Sequence, residues 1–153
     1  MLGERFKQAE TIYGCGSRDG DAHRYGWKFS QGGAEIATAS PRQLRTLAPR
    51  QRRAVAGKVI VALTSSKQLH LASVGVGSTA ASVRARFRRR IRIRIGTNVW
   101  YVIPRNGGAN LIELAHGRVR ELGIAARSLV DSRRHAEQIL RSLTSDETRK
   151  EMF

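Results

Sequence analysis

Residues 84–103 read RARFRRRIRIRIGTNVWYVI, and the spacing of the apolar residues among the arginines changes partway along this stretch. Val83 and Phe87 stand four positions apart, which is the spacing of one apolar face of a helix. From residue 90 to residue 95, arginine and isoleucine alternate, which is the period of a strand with one buried face. The stretch therefore predicts a short helix followed by a strand, with the isoleucines packed in the core and the arginines on the opposite face.

Turn signals and alternating patterns extend the prediction to hairpins on both sides of this stretch. Gly96-Thr97-Asn98 and His116-Gly117 are turn sequences of the kind that joins antiparallel strands. The other predicted strands occupy residues 24–30, 34–39, 58–63, 68–74, 99–103, 110–115 and 118–125. The sequence KVIVAL at 58–63 has the highest β propensity, and we expect residues 68–74 to form the second arm of its hairpin.

Capping residues mark the starts of the helices. Ser40 followed by Pro41 predicts a helix that extends to about residue 56, with Pro49 as a candidate break. The other two helix starts are predicted at Ser78 or Thr79 and at Asp131 or Ser132. The last helix places four apolar residues on one face, which we expect to be buried: Ala136, Ile139, Leu140 and Leu143.

These elements predict an α+β fold in which one or more antiparallel sheets of hairpins pack with about three helices. We expect an irregular N-terminal arm at residues 1–22, an α+β domain at residues 23–144 and a polar tail at residues 145–153. The chain has 153 residues, of which 41% are hydrophobic, and this is enough to build the core of one ordinary domain.

The domain contains a candidate internal repeat. When Gly32 is set against Gly117, the sequence GGAEIATASPRQL aligns with GRVRELGIAARSL. The two repeat units would be residues 23–57 and 75–144, each with a hairpin followed by a helix. Identities are few, so chance similarity between two hairpin-plus-helix units remains the alternative.

The net charge of the chain is strongly positive. Lysine and arginine total 28 against 12 acidic residues, which gives a formal net charge of +16. Such a surface attracts anions, and the candidate partners are nucleic acid, anionic lipid headgroups and acidic polymers. Arginine supplies 23 of the 28 basic residues. Two explanations of this excess stay open, since arginine binds phosphate and carboxylate in a bidentate manner and also accumulates by drift in genomes of high GC content.

The start of the chain carries no signal for export or membrane insertion. Residues 1–10 (MLGERFKQAE) lack an apolar segment, and no run of about 18 apolar residues occurs in the sequence. Cys15 is the only cysteine, so it cannot form an internal disulfide. We expect a chain without a transmembrane segment, and the sequence leaves open whether a leader has been removed from a longer precursor.

The second half of the chain contains the sequences GVGSTAASVRARF, NVWYVI and LIELAHGRVRELGI. Together they resemble the small envelope module of the SmpA/OmlA type. The matching positions are Val76, Gly77, Val83 and Phe87 in the helix, Trp100 and Tyr101 in the strand, and Gly117, Val119, Leu122 and Ile124 in the hairpin. It is also similar to arginine-rich secreted proteins of unknown role from high-GC Gram-positive bacteria. Two features depart from the family pattern: Gly75-Val76-Gly77-Ser78 replaces its Gly-Met-Thr start, and no cysteine follows a lipoprotein signal. The resemblance covers about half the chain and implies a binding or scaffold part outside the cytoplasm, without enzymatic activity.

Candidate catalytic and metal-binding residues are few. Asp19, Asp21 and His23 could offer oxygen and nitrogen ligands to a divalent cation, but no second ligand group accompanies them. Asp131 and His135 stand four apart at a helix start, where a cap or a charge-assisted pair is the simpler interpretation. No nucleophile elbow or phosphate-binding loop occurs. We therefore expect no enzyme activity, no cofactor and no metal site.

The arginines of residues 84–94 are the candidate anion-binding site. Residues two positions apart in a strand are separated by about 6.6 Å, so a row of arginines could contact successive anionic groups. An aromatic residue of the next strand could stack on a base. The candidate residues are Arg84, Arg88, Arg90, Arg92, Arg94 and Tyr101, with Trp100 as the other aromatic candidate. The alternative is a solvated sheet face on which these arginines pair with Glu113 and Glu121.

Two functional hypotheses remain. The first is a non-enzymatic binding or scaffold module of the cell envelope or of a secreted protein, which engages a protein or an acidic polymer. The second is a nucleic-acid-binding domain that uses the arginine-rich strand, although no known nucleic-acid motif is present. The family resemblance favours the first hypothesis slightly, and with it an extracytoplasmic location.

Overall fold

The computed structural model describes residues 17–18, 24–29 and 32–144 of the chain. The strands are β1 (Ser17–Arg18), β2 (Arg24–Phe29), β3 (Gly32–Thr38), β4 (Val59–Thr64), β5 (His70–Leu71), β6 (Val74–Gly75), β7 (Ile91–Ile95), β8 (Asn98–Arg105), β9 (Gly108–Ala115) and β10 (Arg118–Ala126). Eight of them form one antiparallel sheet in the order β1-β2-β3-β4-β10-β9-β8-β7, and β5 and β6 form a separate small hairpin. The α-helices are α1 (Pro41–Thr46), α2 (Pro49–Val55), α3 (Ala80–Arg86) and α4 (Arg133–Thr144), with a 3-10 turn at Arg127–Leu129. The predicted α+β class is confirmed.

The sheet has a core cluster on each face. On the face that carries Ile93 and Trp100, which we call the α4 face, the cluster includes residues of α4 and of the α1–α2 region. On the opposite face, the α3 face, Tyr101 and Ile112 pack with Val83 of α3 and Val74 of β6. The alternation of strand side chains therefore places the isoleucines of β7 on the α4 face and its arginines on the α3 face.

The first predicted helix is two helices because of Pro49. Proline restricts the residue before it to an extended conformation, and Ala48 has ψ of 151°. The helix that starts after Ser40 therefore ends at Thr46, and α2 begins at Pro49. Ser40 is the predicted N-cap, since its hydroxyl accepts a hydrogen bond from the Gln43 backbone N–H. The described residues thus contain four α-helices rather than about three.

The other predicted helix starts are also confirmed. Thr79 caps α3, and its hydroxyl accepts a hydrogen bond from the Ser82 backbone N–H at 3.2 Å. Ser132 precedes α4, and its hydroxyl accepts from the His135 backbone N–H. The four apolar residues predicted to be buried in α4 are all in the core: Ala136, Ile139, Leu140 and Leu143.

The predicted pairing of residues 58–63 with residues 68–74 is wrong. β4 lies between β3 and β10, where it hydrogen-bonds on both edges. Val59, Ile60 and Val61 are almost fully buried, so β4 needs strands on both sides and cover on both faces. Residues 70–75 form their own hairpin instead, beside Leu69, which is 56% exposed.

Both predicted repeat units contain a hairpin that is followed by helical segments. The pair Phe29 and Gly32 closes the first hairpin, and Ala115 and Arg118 close the second. When the two hairpins are aligned on these pairs, Gly32 corresponds to Arg118. The predicted alignment, which matched Gly32 with Gly117, is therefore displaced by one residue. Most of the predicted arm and the whole predicted tail lie outside the described residues, and β1 falls within the arm.

Candidate anion-binding surface

The predicted arginine strand lies at one end of the sheet. Among the described strands β7 pairs with β8 alone, and Arg92 and Arg94 stand opposite Tyr101 and Val99 on the α3 face. The side chains of six arginines between α3 and the end of β7 are exposed, and we call this set the arginine surface: Arg84, Arg86, Arg88, Arg89, Arg92 and Arg94. It includes four of the five arginines predicted from the sequence and adds Arg86 and Arg89.

Arg90 does not belong to the arginine surface. Its Nη1 atom donates to the carbonyl oxygen of Phe87 at 2.6 Å and lies 3.4 Å from the carbonyl oxygens of Arg84 and Arg88. These carbonyls are at the C-terminal end of α3, where helix backbone acceptors lack partners within the helix. The guanidinium of Arg90 therefore stabilises the end of α3 and is half-buried in doing so.

The aromatic residues of β8 are part of the core. Tyr101 is 3% exposed and Trp100 is 1% exposed. The guanidinium carbon of Arg90 lies 5.5 Å from the centroid of the Tyr101 ring, within the range of a cation–π contact. Tyr101 is therefore a packing residue beneath Arg90, and the base-stacking role expected for Tyr101 or Trp100 is not available in this conformation.

The alternative in which strand arginines pair with Glu113 and Glu121 does not hold. Glu113 stands opposite Trp100, so it lies on the α4 face, where it is fully buried and accepts a hydrogen bond from the Asn98 amide at 2.9 Å. Glu121 is the cross-strand partner of Glu113 and shares its face. Both carboxylates are thus separated by the sheet from Arg92 and Arg94.

The arginine surface has no acidic neighbours in the sequence to neutralise it. No aspartate or glutamate occurs between Glu35 and Glu113. Within the described residues 17–18, 24–29 and 32–144, no carboxylate forms an ion pair with any of the six arginines, and the Arg141–Glu137 pair lies within α4. The positive charge of the surface is therefore not offset by any carboxylate of the described residues.

Asp131 and His135 form a structural connection between two helices. His135 Nδ1 lies 2.7 Å from Asp131 Oδ1, and Gln51 of α2 donates to Asp131 Oδ2 at 2.9 Å. Partial burial alone would raise the pKa of Asp131, but the hydrogen bonds from His135 and Gln51 outweigh it, and the pKa lies below its ordinary value. This arrangement matches the predicted cap or charge-assisted pair.

The described residues hold no group of three or more histidine, cysteine, aspartate or glutamate side chains arranged for a metal ion. Asp19, Asp21, His23 and Cys15 lie outside the described part of the chain. No helix within that part is long and apolar enough to cross a membrane.

No protein-family model matches the chain, and no curated protein matches it. Several solved structures have a similar fold. An extracellular protein from Bacillus anthracis that contains an SCP domain is 12% identical, with a TM-score of 0.55 over 88% of this chain and 47% of that one. A cysteine-rich secretory protein from Staphylococcus aureus is 7% identical, with a TM-score of 0.51 over 84% of this chain and 46% of that one. A DUF4309 family protein from Bacillus subtilis is 12% identical, with a TM-score of 0.54 over 80% of this chain and 78% of that one.

These similarities concern the fold alone, because the sequence identities are low. The chain spans about half the length of the Bacillus anthracis and Staphylococcus aureus proteins. The resemblance to the SmpA/OmlA module stays a prediction, since none of the three structures bears on it.

Proposed function

We propose that this chain is a non-enzymatic, strongly basic binding module of an envelope or secreted protein, which engages an acidic protein or another anionic polymer through the arginine surface. The observation that carries the proposal is the set of six exposed arginines around Arg92, none of which has a carboxylate partner in the part of the chain that the structure describes. Guanidinium groups stay protonated at every physiological pH and donate in a fork that fits carboxylate and phosphate. The surface is therefore suited to binding anions and not to exchanging protons with a substrate.

Two features support an extracytoplasmic location. Two proteins of similar fold are described as extracellular and as secretory. The sequence of the second half resembles a small envelope module. Acidic polymers and acidic protein segments occur outside the membrane, so the location and the chemistry of the surface are compatible.

The nucleic-acid alternative has less support. The arginine row could contact phosphates, but the burial of Trp100 and Tyr101 removes the aromatic platform on which bases would stack. What remains for nucleic acid is contact with the backbone, which any polyanion of similar charge spacing would share.

The test compares two variants of equal charge. One changes four members of the arginine surface to glutamine: Arg84, Arg88, Arg92 and Arg94. The matched control changes four exposed arginines on the helices of the α4 face: Arg42, Arg45, Arg53 and Arg134. Both variants lose four positive charges, so long-range attraction falls equally and a local site is measured separately.

Binding is measured by titration against polyglutamate, polyphosphate and single-stranded oligonucleotide at several salt concentrations. We expect the first variant to bind polyglutamate or polyphosphate at least about ten-fold more weakly than the control variant, because charge-assisted hydrogen bonds are lost at the site. Equal losses in the two variants would mean that binding follows net charge alone, and the proposal would fail. Oligonucleotide binding at about 0.15 M salt with no binding of the other polymers would favour the alternative.

A further inference from the structure

The outer edge of β7 presents main-chain groups as well as arginines. Ile95 and Asn98 close the two-residue turn at Gly96-Thr97 that joins β7 to β8. The residues that close such a turn exchange both of their backbone hydrogen bonds, and hydrogen-bonded and non-bonded pairs then alternate along the ladder. The N–H and C=O groups of Arg92 and Arg94 therefore point away from β8, toward the free edge.

These outward groups have no partner among the described residues. β7 is the last strand of the sheet, and backbone hydrogen bonds from other segments do not reach residues 91–95. The same two residues carry exposed guanidinium groups on the α3 face. Arg92 and Arg94 thus offer backbone donors, backbone acceptors and positive charge at one edge.

We propose that the β7 edge binds an extended acidic peptide segment as an added antiparallel strand, with carboxylates at two alternate positions of the peptide. This inference rests on the proposed function and specifies its partner. Residues directly opposite Arg92 and Arg94 would lie on the same face as those arginines, so carboxylates two positions apart would meet both guanidinium groups. The repeat of a strand is the same in the peptide and in β7, which keeps the charges in register.

The residue between the two carboxylates would fall on the α4 face. There its neighbours in β7 are Ile91, which is half-buried, and Ile93, which is buried in the core. An apolar residue suits this position because it extends the apolar row of the sheet by one strand. The preferred segment is therefore acidic–apolar–acidic.

A second copy of this chain is a poor partner for the same edge. Pairing of β7 with β7 would bring arginines from both copies onto one face, and like charges directly opposite each other are destabilising. Charged residues on edge strands protect sheets from such self-association. A phosphate polymer would bind the guanidinium groups but has no N–H groups for the outward carbonyl oxygens of Arg92 and Arg94. An acidic peptide satisfies both requirements.

The experiment uses the full chain and a synthetic peptide of alternating glutamate and valine as the probe. Two modified peptides carry the same charge, one N-methylated at its glutamates and the other at its valines. In the proposed register the glutamate N–H groups point toward Arg92 and Arg94, and the valine N–H groups point to solvent. We expect methylation at glutamate to weaken binding about ten-fold or more, and methylation at valine to change it less than about three-fold, because only the first removes contacts to β7.

Variants provide the second arm of the test. The double variant Arg92→Gln/Arg94→Gln should lose peptide binding, whereas Arg42→Gln/Arg45→Gln, which removes the same charge from α1 outside the arginine surface, should retain most of it. Equal affinity for the two methylated peptides would overturn strand addition. In that case the two four-arginine variants described above could still differ in their affinity for polyglutamate or polyphosphate. The proposed function would then stand without this inference. Absence of binding to both peptides and polyanions would overturn both.

Discussion

The guanidinium of Arg90 lies over the ring of Tyr101, with 5.5 Å between its central carbon and the ring centroid. The same guanidinium donates to the Phe87 carbonyl oxygen at the end of α3. The side chain of Arg90 thus connects α3 to Tyr101 in the sheet beneath this helix. Arg90 differs from its neighbours Arg92 and Arg94 in this respect, although all three belong to one alternating sequence.

We expect Arg90→Gln to lower the free energy of unfolding by about 1–2 kcal/mol, because it removes the hydrogen bonds to the helix end and the contact with the ring. Arg92→Gln, which removes an exposed side chain, should change it by less than about 0.5 kcal/mol. Urea denaturation of both variants measures the difference. Similar values would show that Arg90 is a surface residue like the other arginines.

Gly123 is required by the close approach of β10 to β4. A Cβ atom at this position would lie 2.2 Å from the Ala62 carbonyl oxygen, and the backbone of a central strand cannot move without disturbing its neighbours. We expect Gly123→Ala to destabilise the domain by about 2–4 kcal/mol. Gly57→Ala is the control, since its Cβ would be in open space and it would add only the strain of a positive φ, about 1 kcal/mol. A smaller effect for Gly123→Ala than for the control would contradict this account.

The turn between β5 and β6 is built from residues that disfavour its conformation. Ala72 and Ser73 have φ angles of 48° and 70°, a region that asparagine and glycine adopt more easily. The double variant Ala72→Asn/Ser73→Gly should therefore raise the unfolding free energy by about 1 kcal/mol. Thermal denaturation provides the measurement, and a lower melting temperature than that of the unmodified protein would be inconsistent with strain at this turn.

Asp131 makes the stability of the domain depend on pH. Its pKa in the folded protein lies below the ordinary value of 3.8, so the folded state releases this proton more readily than the unfolded state does. The stabilisation is complete above the unfolded pKa and is lost as the pH falls through the folded pKa. Asp131→Asn should consequently lower the free energy of unfolding at pH 6. The difference in unfolding free energy between the variant and the unmodified protein should narrow below about pH 3.8. A gap that stays constant with pH would exclude this carboxylate as the cause.

Local signals in the sequence predicted where the helices start. Ser40 and Thr79 were identifiable as caps because a capping hydroxyl bonds to an amide only three residues away. The same locality allowed Pro49 to be recognised as a break. The buried face of α4 was predictable from its helical spacing.

Long-range pairing was not predictable in this way. β4 is flanked by β10, whose residues lie about sixty positions further along the chain, and no local pattern encodes that neighbour. The distinct role of Arg90 depends on the position of Tyr101 in the adjacent strand. Its place three residues after Phe87, at a helix end that attracts basic side chains, was the one available signal.

The central position of β4 determines how the two halves of the domain hold together. β4 lies outside both repeat units, yet it pairs with the hairpin of the first unit through β3 and with the hairpin of the second through β10. Each unit on its own would leave an apolar strand or a long sheet edge without a partner. The units therefore cannot be exchanged or lost independently, and a chain cut between Ser65 and Ser78 would remain one folded body, joined by the hydrogen bonds of β4 with β10, by the shared core of the α4 face and by the Gln51–Asp131 hydrogen bond.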